Sequence, residues 1–353
     1  MARSKFDNIK IKGIASAVPE GVIDNIEDHT FVDPEEKQKI IKLTGMRQYR
    51  KAPVGVCSSD LCVRAATELF KFANIRANDI DAILFVSQTP DYRLPSTACI
   101  IQHELGCPQT TLAFDVNLGC SGYVYGLYTA CSFIQGGGLH NVLLLCGDTQ
   151  TKLAYERDKN VCFIMGDAGS ASLVSREDEA ATINFSLMTD GSRFDKLIVP
   201  YGGYRHPSND ESREVKLQGE GGLRSQEHIF MEGMEIFNFA ATDVVVAIRE
   251  FMHDNDISES EVDYLILHQA NKFMTDKVAK KLKFPLNKVL YSLEYYGNTS
   301  SASIPLTISQ HMLGDITTGK RCIISGFGVG LSWGVANIDL EGTICPRIVE
   351  VRG

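Results

Sequence analysis

A cysteine, a histidine and an asparagine stand in three settings that suit acyl-transfer chemistry. Cys120 closes the run Phe114-Asp-Val-Asn-Leu-Gly-Cys120, and Ser121-Gly-Tyr-Val-Tyr-Gly-Leu follows. That order predicts an apolar strand, a tight turn of small residues and a helix, with the thiol at the helix start. There the unpaired backbone N–H groups and the positive end of the helix dipole favour a thiolate and offer donors to a developing oxyanion. A buried cysteine packing a strand-to-helix junction is the plainer alternative. His268 ends the apolar stretch Leu265-Ile-Leu and precedes Gln269-Ala-Asn271. A histidine at a strand end faces a cleft, where it donates a hydrogen bond or handles a proton, although many such residues are satisfied core histidines. Asn298 lies in Tyr296-Gly-Asn-Thr-Ser-Ser-Ala-Ser-Ile-Pro305, as a neutral amide donor in a tight loop or as an ordinary turn residue before a capping Ser or Thr. Together the three supply a nucleophile, a polarising or proton-handling ring and an amide, the outfit for transfer through a covalent thioester.

The elements that must position these groups come from a duplicated α/β unit. The chain of 353 residues corresponds to about two domains at roughly 150 residues each. Ile75-Arg-Ala-Asn-Asp-Ile-Asp-Ala-Ile-Leu-Phe-Val86 matches Ile257-Ser-Glu-Ser-Glu-Val-Asp-Tyr-Leu-Ile-Leu-His268, placing Ile80-Asp81 on Val262-Asp263. Leu143-Leu-Leu-Cys-Gly147 likewise matches Cys322-Ile-Ile-Ser-Gly326 at nearly the same spacing, about half the chain. The reading is an N-terminal half, residues 1–180, carrying the cysteine, and a C-terminal half, residues 181–353, carrying the histidine and asparagine. Helical stretches precede strands in both halves: Ser59 to Phe72 before Ala82 to Val86, and Ile236 to His253 before Tyr264 to His268. That alternation means largely parallel sheets, and wholly apolar strands such as Val142 to Cys146 mean sheets covered on both faces. Residues 200–226, rich in Gly, Ser and charge, interrupt the rhythm and read as a long irregular lid over the active site.

Bulk properties exclude several classes. A hydrophobic share of 44% with 22% charged residues is that of a globular chain, and a net charge of −9 disfavours nucleic-acid and anionic-membrane partners. No apolar run approaches a membrane span, and Met1-Ala-Arg-Ser-Lys5 does not open a signal peptide, so a cytoplasmic address is expected. The 10 cysteines form no CxxC pair. Nine are expected as buried thiols, and no metal site is expected because no ligand spacing is present.

Beyond its separate residues, the sequence resembles the 3-oxoacyl-[acyl-carrier-protein] synthase III family. The resemblance runs over nearly the whole chain through Thr44-Gly-Met-Arg47, Leu94-Pro-Ser96, the Cys120 turn, Met165-Gly-Asp-Ala-Gly169, His268-Gln-Ala-Asn271, Gly297-Asn-Thr-Ser-Ser-Ala-Ser-Ile-Pro305 and Gly326-Phe-Gly-Val-Gly-Leu-Ser-Trp-Gly334. It implies a thiolase-like fold with duplicated halves in a five-layer αβαβα arrangement, paired as a homodimer. It also implies an acyltransferase of fatty acid biosynthesis that performs a decarboxylative Claisen condensation of an acyl thioester with malonyl-acyl-carrier protein. Cys120 would carry the acyl group, the backbone N–H groups of Cys120 and Val329 would hold the oxyanion, and His268 and Asn298 would stabilise the enolate left by carbon dioxide. Arg47, Leu94, Asn271 and Phe273 fall at substrate-binding positions. No cofactor is implied, since coenzyme A or the phosphopantetheine of an acyl-carrier protein bears the substrates.

Within that resemblance the chain departs at the donor end. Lys39 and Leu43 stand where members primed from coenzyme A commonly have a Trp and an Arg, and Phe273 stands where the family has a carrier-docking Arg. A basic stretch including Lys277, Lys280 and Lys281 is the candidate dock for an acidic carrier, with a plain solvated face as the alternative. The departures suggest a nonstandard acyl donor and a specialised pathway. Elongating relatives carry Cys-His-His, thiolases a second cysteine in the loop that reads Phe327-Gly-Val-Gly-Leu331 here, and hydroxymethylglutaryl synthases a glutamate near residues 87–96, where only Asp91 occurs. A same-fold acyltransferase acting on a hydroxyl or amine, a papain-like cysteine hydrolase and a non-catalytic binding protein are the competing readings.

Overall fold

Alternate residues of the strand Ala82–Val86 point to opposite sides of its sheet, and both sides are buried. Ile83 and Phe85, with Leu143 and Leu145, pack against Ala65 and Leu69 of the helix Ser58–Ala73. Ala82, Leu84 and Val86 face the other way, onto Val124 and Leu127 of the helix Gly122–Gly137 and Ile304 of the helix Ser303–His311. Burial on both faces is why the strand reads as an unbroken apolar run. The computed structural model describes residues 2–29, 31–218, 222–316 and 318–353.

The first sheet runs Gly314–Asp315, Ile344–Cys345, Ile9–Pro19, Asp167–Arg176, Asn141–Thr149, Ala82–Val86, Leu112–Val116, and Val349–Val351 also pairs with Ile9–Pro19. The second runs Ala2–Phe6, Ile183–Thr189, Ser332–Asp339, Arg321–Gly328, Tyr264–Leu267. Each contains parallel and antiparallel pairs. The helices Gly122–Gly137 and Ser303–His311 touch strands of both sheets and form the central layer. Ser58–Ala73 covers the outer face of the first sheet, and Val245–Asp254 that of the second. The result is the five-layer αβαβα thiolase-like arrangement.

The repeat has a hydrogen-bonded counterpart in each half. Asp81 takes the N–H groups of His140 and Asn141 on its carboxylate, both at 2.8 Å, and donates its own N–H to Asn141. Asp263 takes the N–H of Arg321 at 2.9 Å and donates its own to Arg321. In both cases an acidic residue just before one strand fixes the start of the parallel strand beside it. The first and last strands cross over: Ala2–Phe6 joins the second sheet, while Ile344–Cys345 and Val349–Val351 join the first.

Three expectations change. The stretch predicted as one helix over Ile236 to His253 is helical over Gly233–Phe239 and Val245–Asp254 with a π turn between, Ala240–Val244, and Ile236, Phe239, Val244, Ile248 and Phe251 are all buried. The segment 200–226 is not structureless. It holds a short helix, Asp210–Arg213, and a hairpin pairing Lys216–Gln218 with Gly222–Arg224, pinned where Arg224 meets the buried carboxylate of Asp158. Its residues 219–221 lie outside the described residues. Cys99 is exposed and Cys57 half-buried, because Cys99 occupies the outward side of the helix Thr97–Glu104 and Cys57 caps the helix after it. Among the described residues no helix is long and apolar enough to cross a membrane.

Candidate active site

The chain leaves the strand Leu112–Val116, turns through Leu118 and Gly119, and enters the helix Gly122–Gly137, leaving Cys120 at the bend. The loop after the strand Arg321–Gly328 runs directly against it. A Cβ at Gly328 would stand 2.7 Å from the Cys120 Cβ and 3.0 Å from Sγ, so this approach requires glycine. It brings the Val329 N–H to the sulfur, alongside the N–H of Cys120 itself, and the Ser300 hydroxyl lies 4.0 Å from Sγ. Two backbone donors from different halves therefore converge on the sulfur.

The expected thiolate is not the resting form. Burial pushes the Cys120 thiol up to about 12 and the Asp148 carboxylate adds to it, against the Ser300 hydroxyl and the two N–H groups. Desolvation outweighs the helix terminus because the sulfur is out of water. A pH-dependence follows: alkylation of the free enzyme at Cys120 by iodoacetamide rises about tenfold per pH unit from 7 to 10, since only the thiolate reacts. A plateau beginning below pH 9 in mass-spectrometric rates would contradict this.

His268 extends the strand Tyr264–Leu267 by one rung, its N–H donating to Ser325 at 2.8 Å. The Ser303 hydroxyl meets Nδ1 at 2.8 Å, and Phe327 lies edge-on to the ring. The Ser300 backbone also bonds the ring, and the tautomer protonated at Nε2, with Ser303 donating to Nδ1, is the one that can donate into the cavity. Burial holds the ring down to about 3, so it is a neutral donor at physiological pH. Asn298 is anchored by its backbone, N–H to Ile164 at 2.7 Å and C=O from Gly166 at 3.0 Å. Its Oδ1 accepts the Ser300 N–H at 2.9 Å, which leaves the Nδ2 hydrogens for the cavity.

Asp148, which the motif reading passed over, ties these parts together. It is fully buried at the end of the strand Asn141–Thr149 and accepts from the N–H of Gln88 at 2.7 Å and from the N–H and hydroxyl of Ser301 at 3.1 and 2.7 Å. Burial raises its pKa, and those donors oppose the rise. The signal was present as a carboxylate directly after an apolar run, where a charge must be paired.

Cys120, His268 and Asn298 line one cavity of about 440 Å³. Leu43, Met234, Phe237 and Phe273 line the same space, with Phe237 and Phe273 stacked at 5.4 Å between centroids. Asn271 lines it while its Oδ1 caps the helix Lys272–Leu282 through the Met274 N–H. Arg47 and Leu94 are not brought to it. Arg47 is paired with Asp24 at 2.7 Å, and Leu94 stands exposed on a loop. Lys277, Lys280 and Lys281 are exposed on the helix that begins at the cavity wall, while Lys272 is paired with Asp276.

Comparison with known proteins gives concordant matches. The family model for 3-oxoacyl-[acyl-carrier-protein] synthase III matches residues 114–191 and the model for its C-terminal part matches 225–340. The chain is similar to a beta-ketoacyl-[acyl-carrier-protein] synthase III of Caldanaerobacter subterraneus, 34% identical over 325 residues covering 92% of this chain and 95% of the relative. It is similar to one from Nostoc sp. at 36% identity over 330 residues, covering 93% and 97%. The crystal structure of a 3-oxoacyl-(acyl-carrier protein) synthase from Burkholderia xenovorans superposes with a TM-score of 0.92 at 34% identity, covering 100% of this chain and 99% of that one.

Proposed function

The chain belongs to the 3-oxoacyl-[acyl-carrier-protein] synthase III family, and we propose that it performs the decarboxylative condensation of an acyl thioester with malonyl-acyl-carrier protein through an acyl-Cys120 intermediate. It is an acyltransferase, and its reaction needs no metal or other cofactor. The observation that carries the residue assignment is the meeting of Cys120, His268 and Asn298 in one cavity.

In acylation, Sγ attacks the donor carbonyl, the bond to the carrier sulfur breaks, and the thiol proton leaves with the released carrier thiol. The N–H groups of Cys120 and Val329 hold the oxyanion. Malonyl thioester then places its carbonyl at His268 Nε2 and Asn298 Nδ2. Its carboxylate leaves as carbon dioxide, and the electron pair of the broken carbon–carbon bond becomes an enolate held by two neutral donors. The enolate carbon attacks the acyl carbonyl, Sγ departs as thiolate, and a solvent proton restores the thiol. Neutral donors suit this step: they stabilise negative charge without quenching the carbanion by protonation. Supplying acyl thioester and malonyl-acyl-carrier protein should give carbon dioxide and 3-oxoacyl product in equal amounts. Transfer of the acyl group to a hydroxyl or amine without gas release would refute the reading.

We place the protein in the cytoplasm as a homodimer, with the Lys277, Lys280 and Lys281 face as the dock for the carrier protein. That face adjoins the cavity wall and is locally basic on a chain of net charge −9. Replacing all three lysines with Glu should raise KM for malonyl-acyl-carrier protein about tenfold and flatten its salt dependence. Turnover of a small malonyl-pantetheine substrate should be little affected. Equal loss with both substrates would exclude docking as the cause.

A further inference from the structure

A second cavity, of about 620 Å³, lies on the far side of a wall shared with the first: Leu197 lines both, and Val329 and Gly330 line the second. Gln88, Asn117 and Gln150 also line it. Gln150 is only 4% exposed, Gln88 is half-buried and Asn117 stands at the exposed rim. Their carboxamides have no hydrogen-bond partner among the described residues; the bonds of Gln88 and Gln150 are made by the backbone, the Gln88 N–H donating to Asp148 and the Gln150 carbonyl accepting from Leu153 and Ala154. The cavity abuts the nucleophile: Gln88 Oε1 packs on Gly119, the residue before Cys120, and the Val329 N–H points at Sγ.

The order of events requires such a space. The acyl group remains on Sγ while malonyl thioester advances along the first cavity to His268 and Asn298, so the acyl chain must lie outside that path. The second cavity is the space open to it, and we propose that Gln88, Asn117 and Gln150 select acyl groups bearing neutral hydrogen-bonding substituents, hydroxyl or amide, over plain alkyl groups. The inference rests on the condensation reading above. Leu153, Val199 and Ile229 offer apolar wall for the carbon skeleton. Carboxamides supply both donors and acceptors, and a plain alkyl chain would leave them desolvated and unpaired. The one carboxylate at the cavity, Glu227, accepts the hydroxyls of Ser208 and Ser212 on its Oε1 at 2.7 and 2.6 Å.

The test is the rate of Cys120 acylation, followed by intact-protein mass, with butanoyl-, 3-hydroxybutanoyl- and 4-hydroxybutanoyl-acyl-carrier protein. At least one hydroxyacyl donor should exceed butanoyl about tenfold or more in kcat/KM. In Gln150→Leu and Gln88→Leu that ratio should fall towards one. The ratio is read within each protein, so a general loss of rate does not distort it, and the wild-type ratio needs no variant. Equal or faster acylation by butanoyl in the wild type overturns the selectivity and leaves the condensation reading intact. No adduct from any of the three donors sinks both.

Discussion

Cys120→Ser abolishes the acyl adduct and lowers condensation by about 10⁴-fold or more, the size of effect seen when a covalent nucleophile is removed. The Cys120 and Val329 N–H groups converge on Sγ, and the nearest other hydroxyl, that of Ser300, stands 4.0 Å away. A hydroxyl in that dry pocket resists deprotonation even more than the thiol does. The measurement is intact mass after incubation with an acyl donor, paired with 3-oxoacyl product formation. A persistent adduct in the serine variant, mapped by peptide analysis to another residue, would remove Cys120 from the mechanism.

His268→Ala separates the two half-reactions. The adduct on Cys120 should still form within about tenfold of the wild-type rate, while carbon dioxide release from malonyl thioester should fall about 10²–10³-fold, as for loss of one preorganised donor to a developing oxyanion. The ring is neutral, held down to about 3 by burial, so it contributes a hydrogen bond rather than a charge. A folded value of about 3 keeps His268 unprotonated from pH 5 to 8. The decarboxylation rate should therefore show no histidine inflection across that range in the wild type. An inflection near pH 6.5 that disappears in the alanine variant, or equal loss of both half-reactions, would contradict the roles assigned here.

What was legible beforehand was what is local along the chain. The strand, small-residue turn and helix around Cys120, and the strand end at His268, follow from apolar runs and turn residues, and the structure shows those elements in place. The duplicated unit was visible because Asp81 and Asp263 precede equivalent strands and do the same hydrogen-bonding job. What was missed depends on contacts between distant segments. The charge state of Cys120 is set by burial and by Asp148, neither of which the strand-turn-helix pattern encodes. Gln88 lies in a loop and Gln150 opens a short 3-10 turn some sixty residues on, and nothing in their immediate neighbours indicates that they share a cavity. The segment 200–226 reads as a lid over the active site, and its Tyr201, Gly202 and Gly203 border the second cavity. Irregular composition signals an unusual loop without saying which space it closes.

The bond from Asp148 to Ser301 joins a carboxylate of one sheet's strand to the loop that carries Asn298. A copy of the chain whose two repeats docked a single step out of register would strip that buried carboxylate of both Ser301 donors, leaving it only the Gln88 and Ser87 bonds of its own half. Such a misassembled form is penalised before any reactant arrives. The alignment of the chemical groups is thereby proofread by the same interaction that lets the molecule close, and heating should abolish turnover and native packing in one transition.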